Sequence, residues 1–184
     1  MKRTFSLEVI KEVYQGRTKI LDAGCGVGVQ AFYVAKKNPQ SFVYGYDNSS
    51  GDIATAQSHQ QRRGITNIRF LVASHDDFEP PYRMDMIYTA DSLIGTNEVQ
   101  FGGNNIVEDA QNLLTRRLLK FNESLNPSGI YMVTLGSTPR TDSGLVGIAE
   151  QCGLKHIRTI EGPAEGIDEH GELGRKVALI FERN

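Results

Sequence analysis

Three glycines, Gly24, Gly26 and Gly28, alternate with Cys25 and Val27 directly after Ile20-Leu21-Asp22-Ala23. Roughly 20 residues later the β-branched and aromatic run Phe42-Val43-Tyr44-Gly45-Tyr46 stops at Asp47, followed by Asn48 and Ser49. Glycines at this spacing let a chain turn tightly and let its backbone approach a ligand closely. An acid at the end of the following strand can accept hydrogen bonds from both hydroxyls of a ribose. A glycine loop alone is a weak signal. A glycine loop followed in register by an acid-ended strand is a stronger one. The plainer alternative is that the glycines only shape a turn and that Asp47 caps the next helix. Dinucleotide-binding loops favour G-x-G-x-x-G, whereas this loop reads G-x-G-x-G, with Asp22 two residues before its first glycine.

The elements that must position these groups alternate along the chain. Lys19-Ile20-Leu21 predicts a short strand, and Gly28 to Lys37 a helix ended by Asn38-Pro39. Phe42 to Tyr46 predicts the second strand, and Asp52 to Arg63 a helix with Ile53, Ala56 and Gln60 on one side, closed by Gly64. Ile68 to Val72 and Met84 to Thr89 predict the third and fourth strands. Ile106, Ala110, Leu113, Leu114, Leu118, Phe121 and Leu125 recur at three- and four-residue steps, the clearest amphipathic helix in the chain. Asn126-Pro127-Ser128-Gly129 predicts a turn and Ile130 to Leu135 a fifth strand. Leu145, Ile148, Ala149 and Cys152 make another helical stripe, and Leu154 to Ile160 and Lys176 to Phe181 predict the last two strands. Glu161 to Gly174, rich in glycine and charge, is expected to be a loop joining them as an antiparallel hairpin. Repeated strand–helix–strand units imply an α/β fold with a mostly parallel sheet and helices on both faces.

The 184 residues are expected to form a single domain, with residues 1–17 as a short N-terminal extension. Hydrophobic residues make up 39% and charged residues 23%, an ordinary globular balance. No apolar run approaches the roughly 20 residues that span a bilayer, so no membrane partner is expected. Two cysteines, Cys25 and Cys152, cannot build a disulfide framework, and neither stands in a metal-ligand pair. The expectations are a cytoplasmic protein and no metal. The net charge of −2 argues against a dedicated nucleic-acid binder. Lys36-Lys37, Arg62-Arg63 and Arg116-Arg117 with Lys120 are expected to be solvated helix faces.

Asp22-Ala23-Gly24-Cys25-Gly26-Val27-Gly28 resembles motif I of class I S-adenosylmethionine-dependent methyltransferases, D/E-x-G-x-G-x-G, at every fixed position. Val43 to Ser49 resembles motif II, with Asp47 as the ribose-binding acid. Met84-Asp85-Met86-Ile87-Tyr88-Thr89 is similar to the fourth strand of that family, and Leu125-Asn126-Pro127-Ser128-Gly129 to its L-x-P-G-G entry to the fifth, with Ser128 in place of a glycine. The resemblance covers nearly the whole chain. It implies a three-layer Rossmann-like fold whose seven-stranded sheet has the order 3-2-1-4-5-7-6, with strand 7 antiparallel. It implies S-adenosyl-L-methionine as cofactor and S-adenosyl-L-homocysteine as product. The cofactor-binding candidates are Asp22, Gly24, Cys25, Gly26, Gly28, Asp47, Asn48, Ser74, His75 and Ala90. After the third strand the family usually places an Asp beside the adenine. Here Ser74 stands at that position and Asp76 two residues later, so the adenine falls to Ser74, Asp76 or backbone.

The reaction site implied by the resemblance lies beyond the fourth strand, along Ala90-Asp91-Ser92-Leu93-Ile94-Gly95-Thr96. Asp91 could orient or deprotonate an acceptor, or equally cap a turn. Tyr88 is expected in the core, His75 and His170 are lesser candidates for a base, and Cys25 is expected as a small buried residue. Glu79-Pro80-Pro81-Tyr82 resembles an N/D-P-P-Y amino-methylation motif but precedes the fourth strand, and reads as a rigid turn. Asn97 to Asn105 could act as a lid. With about 18 residues before the first strand, the acceptor pocket is expected to be open, or completed by a second copy or a partner subunit. Methyl transfer to an O or N atom of a small molecule is the first expectation. RNA or protein as acceptor, and a non-catalytic cofactor-binding subunit, are the alternatives. NAD-dependent oxidation is disfavoured by the loop spacing.

Overall fold

The computed structural model describes residues 5–90, 93, 106–137, 139–167 and 173–184. Along these residues run α1 (Phe5–Val13), β1 (Lys19–Ala23), α2 (Val29–Lys37), β2 (Phe42–Asp47), α3 (Ser50–Arg63), β3 (Ile68–Val72), β4 (Met84–Ala90), α4 (Ile106–Ser124), β5 (Leu125–Ser137), α5 (Pro139–Gln151), β6 (Leu154–Ile167) and β7 (Leu173–Arg183). The strands form one seven-stranded sheet in the order β3-β2-β1-β4-β5-β7-β6. β1 to β5 are parallel, and β7 is antiparallel to β5 and β6. This is the order that the motif resemblance implies.

Alternating side chains divide the core between the two faces of the sheet. Leu21, Ile87, Tyr131 and Leu179 pack with Leu114, Leu118 and Phe121 of α4 and with Leu145 and Ala149 of α5. Ile20, Met86, Met132 and Ile180 face Val9 and Ile10 of α1, Ala31 and Val34 of α2, and Ile53 and Ala56 of α3. The helical stripes read from the sequence are thus the faces that meet the sheet. α3 is closed at both ends: Ser49 Oγ accepts from the Asp52 N–H at 3.3 Å, and Gly64 takes the left-handed conformation.

At the N-terminal edge of the sheet, opposite the strand ends that carry the glycine loop, Asp85 ties three segments together. Its Oδ2 accepts from the Thr18 N–H, the Thr18 hydroxyl and the Lys19 N–H at 2.8–3.0 Å, and its Oδ1 from the Asn126 amide at 2.7 Å. Burial opposes its ionisation, but these four donors outweigh it and hold the carboxyl below the usual range.

Three features differ from the expectations. Residues 5–13, outside the predicted elements, form α1, whose Ser6 Oγ meets Thr134 Oγ1 of β5 at 3.0 Å. The loop expected over Glu161 to Gly174 is largely strand. β6 runs on to Ile167 and β7 begins at Leu173, because antiparallel pairing satisfies backbone groups that the glycine-rich composition would otherwise give to water. The turn expected at 126–129 is a bulge inside β5: Leu125 pairs with Met84, and Ile130 already with Met86. Ser128 has φ 57° within it.

Candidate functional site

The β1–α2 loop and the end of β2 are joined directly. The N–H groups of Gly24 and Cys25 both donate to the Tyr46 carbonyl at 2.9 Å, and the Gly26 N–H donates to Asp47 Oδ2 at 2.9 Å. Asp47 Oδ1 accepts from the Ser49 N–H at 2.9 Å. Each carboxylate oxygen has a second lone pair beyond these bonds. Asn48 beside it is exposed. The spacing signal between the glycines and Asp47 therefore has a direct cause, since the acid holds the loop in shape.

All three loop glycines take a positive φ, Gly24 at 78°. Gly28 has φ 82°, and a Cβ there would lie 2.6 Å from the Phe70 ring. Gly26, at φ 51°, has nothing within 4 Å of where its Cβ would be, so the loop presents bare backbone there. Gly28 caps α2 without a side-chain hydrogen bond, and the first turn of α2 has no acid. The carboxyl that faces this helix end comes from β1 instead: the Ala31 N–H bonds to Asp22. Cys25 is buried, and burial, with Asp22 and Asp47 nearby, pushes its thiol far above the usual range. It is inert as a nucleophile.

Beneath the loop, Asp22 is 1% exposed and its Oδ2 has no hydrogen-bond partner among the described residues. It pairs in register with Tyr88 of β4, whose buried hydroxyl is likewise unpartnered there. The two groups are close enough to interact without a well-formed hydrogen bond. Burial pushes the Asp22 carboxyl up to about 7; the Tyr88 hydroxyl and the Ala31 N–H oppose the shift, and the charge of Asp47 adds to it. Tyr88 is core, as expected, and carries a polar tip into this pocket.

The turn after β3 disposes its candidates differently. Ser74 Oγ donates to Asp77 Oδ2 at 2.6 Å and accepts from the Asp77 N–H at 3.2 Å, so it serves the turn itself. His75 is buried, with Nδ1 2.7 Å from the Tyr46 hydroxyl, and lies edge-on to Tyr46 and Phe121. Asp76 is engaged by α4: Arg116 Nε donates to Oδ1 at 3.1 Å, and Lys120 Nζ to its backbone carbonyl at 2.8 Å.

Ala90 ends β4 at the carboxyl edge of the sheet, paired with Thr134. Asp91, the candidate for orienting an acceptor, lies outside the described residues, as do Ser92, the segment 94–105 and His170. Leu93 is buried, and its carbonyl accepts from Arg117 Nη1 at 2.7 Å. Arg117 corrects an expectation: it is 1% exposed, not on a solvated face. Its place was readable, because it stands four residues from both Leu113 and Phe121 on the apolar stripe. Counting basic residues as a cluster hid that register.

A parallel sheet whose first glycine loop is bonded to the acid ending the second strand, with both at the carboxyl edge, defines an α/β protein of the nucleoside-binding kind. A family model described as a methyltransferase domain matches residues 15–162, and the chain belongs to that family. The 2-heptyl-1-hydroxyquinolin-4(1H)-one methyltransferase of Mycobacteroides abscessus is 34% identical over 73 residues, 39% of this chain and 31% of that protein. The N-methyltransferase NodS of Bradyrhizobium japonicum, in complex with S-adenosyl-L-homocysteine, has a similar structure, with TM-score 0.69 at 13% identity, over 97% of this chain and 84% of that one. The cyclase SpnF is similar with TM-score 0.71 at 17% identity, over 97% and 80%. The chain spans 18% to 42% of the length of the curated relatives it matches.

Proposed function

We propose that this chain binds S-adenosyl-L-methionine and transfers its methyl group to an O or N atom of a small molecule, releasing S-adenosyl-L-homocysteine. Because the same fold also serves a cyclase, the reading is argued from the site rather than from the fold. The observation that carries it is the unpaired, buried Asp22 Oδ2 beneath a glycine loop already bonded to Asp47. Two carboxyl groups at one loop favour a cationic ligand and repel the pyrophosphate of a dinucleotide. An ammonium group at Asp22 would give that oxygen its partner. Asp47 has lone pairs left for ribose hydroxyls, and the bare backbone of the loop at Gly26 suits close approach of the ligand.

S-adenosyl-L-methionine supplies a methyl group already activated on a sulfonium. The chain's part is therefore to hold the acceptor in line beyond Ala90, where positioning supplies much of the rate. Asp91, next in sequence, is the residue proposed to orient that acceptor. A small-molecule acceptor is favoured by the near-neutral charge and by the quinolinone named for the Mycobacteroides relative. The free, buried Cys25 and Cys152 suit a reducing cytoplasm.

Calorimetry with S-adenosyl-L-homocysteine tests the reading, and a wild-type protein without affinity for it sinks the proposal. Asp47→Ala is expected to weaken that binding by about 1–3 kcal/mol, through loss of charge-assisted hydrogen bonds and of the loop's tie. Salt-sensitive binding of RNA in the same assay would favour a macromolecular acceptor instead.

A further inference from the structure

Arg117 is a cation buried in an apolar stripe, and burying a charge is costly unless it is paired and hydrogen-bonded. Its fork reaches two loops at the carboxyl edge of the sheet. Nη1 donates to the Leu93 carbonyl, just past β4, at 2.7 Å, and Nη2 stands 3.7 Å from Asp76 Oδ2 in the turn past β3. Asp76 is 40% exposed and is also held by Arg116 and Lys120, so it does not depend on Arg117 for a counter-charge. The carbonyl of Leu93 is the partner that a lysine or a neutral side chain would serve least well, because only a guanidinium can reach both loops with separate, fixed donors. The guanidinium also lies near the hydroxyls of Tyr46 and Tyr131, opposing the upward shift that burial imposes on both phenols. Tyr46 in turn holds His75 in the β3 turn through its hydroxyl.

We propose that Arg117 is a positioning residue. It holds Leu93 to the turn past β3 at the carboxyl edge of the sheet, the edge where the adenosyl group is proposed to bind. The proposal rests on the methyltransferase reading above, which puts the nucleoside at this edge of the sheet. Its proposed action runs through the Leu93 carbonyl and the Asp76 turn.

The test uses the whole chain, with S-adenosyl-L-homocysteine as probe. Arg117→Ala is expected to weaken binding by about tenfold or more, the scale set by a small misplacement of positioning groups. It should also speed amide hydrogen exchange at residues 74–78 while leaving the β6–β7 hairpin unchanged. Millimolar ethylguanidinium, filling the space left by the side chain, is expected to restore most of the affinity, while a merely structural role is separated by hydrogen exchange, which it would speed in the β6–β7 hairpin as well as at residues 74–78. Should the alanine variant fail to fold, Arg117→Lys carries the test: it keeps the charge on a single nitrogen, loses the fork and is expected to bind severalfold more weakly. Wild-type affinity in the folded alanine or lysine variant overturns the proposal, as does a folded alanine variant that ethylguanidinium cannot rescue. A wild-type protein that does not bind the probe overturns the methyltransferase reading, and the positioning role with it.

Discussion

Asp22 is held between the sheet and α2 with one oxygen unpaired, and its carboxyl titrates near pH 7 rather than near 4. Between those values the folded protein carries a proton that the unfolded chain has released. The stability Asp22 contributes is therefore complete below about pH 4 and is lost as pH rises through 7. Asp22→Asn removes that titration. In the absence of nucleoside the variant is expected to melt higher than wild type at pH 8, and the two should converge toward pH 4. A gap of equal size at both pH values would show that burial of the charge is not the cause. The same variant should bind S-adenosyl-L-homocysteine more weakly, because it offers no charge to an ammonium. Residue types at fixed spacing made Asp22, the glycines and Asp47 legible in the sequence. Ser74 was legible only as a position. That its hydroxyl turns back to Asp77, and that Asp76 belongs to α4, depend on contacts across 40 residues or more in the latter case, which no local pattern encodes.

Elements were readable where their apolar period matched the face they bury, as with α3, α4 and the five parallel strands. They were misread where pairing overrode composition. Glu161 to Gly174 has the glycines and charges of a loop, yet most of it is held by β7. α1 has Leu7, Val9 and Ile10 buried, a stripe short enough to be overlooked. The Asp85 tie between the β1 entry, β4 and the β5 bulge is likewise invisible as chemistry, though Asp85 stands in the stretch similar to the family's fourth strand. Asp85→Ala strips four donors of their acceptor, and is expected to cost about 1–3 kcal/mol in denaturant unfolding at neutral pH. Because its folded pKa lies below the ordinary value, that contribution is present above about pH 4 and fades as pH falls through the lowered value. The variant and wild type should therefore converge in acid, the reverse of the Asp22 slope in its direction with pH. Nucleoside affinity should not change, since Asp85 lies at the opposite edge of the sheet.

At the scale of the molecule, the strand order places the glycine loop, Asp47, the β3 turn and Ala90 along one edge, at the centre of the sheet where connections depart to opposite faces. The order followed from the motif resemblance rather than from periodicity, which gives strands but not their neighbours. The sheet ends on one side at β6, a 14-residue strand with a single partner. Such a border offers a free row of backbone donors and acceptors to any passing chain. Here it is made a poor template. Its register slips between His156 and Arg158, between Glu161 and Ala164 and again between Ala164 and Gly166. Pro163, within the second slip, has no N–H to give. Pro163→Val is expected to leave the melting temperature nearly unchanged while raising light scattering on prolonged incubation. These slips and the proline blunt the open flank of the sheet, and the two around Ala164 do so at the carboxyl edge, the edge that also carries the glycine loop and Ala90.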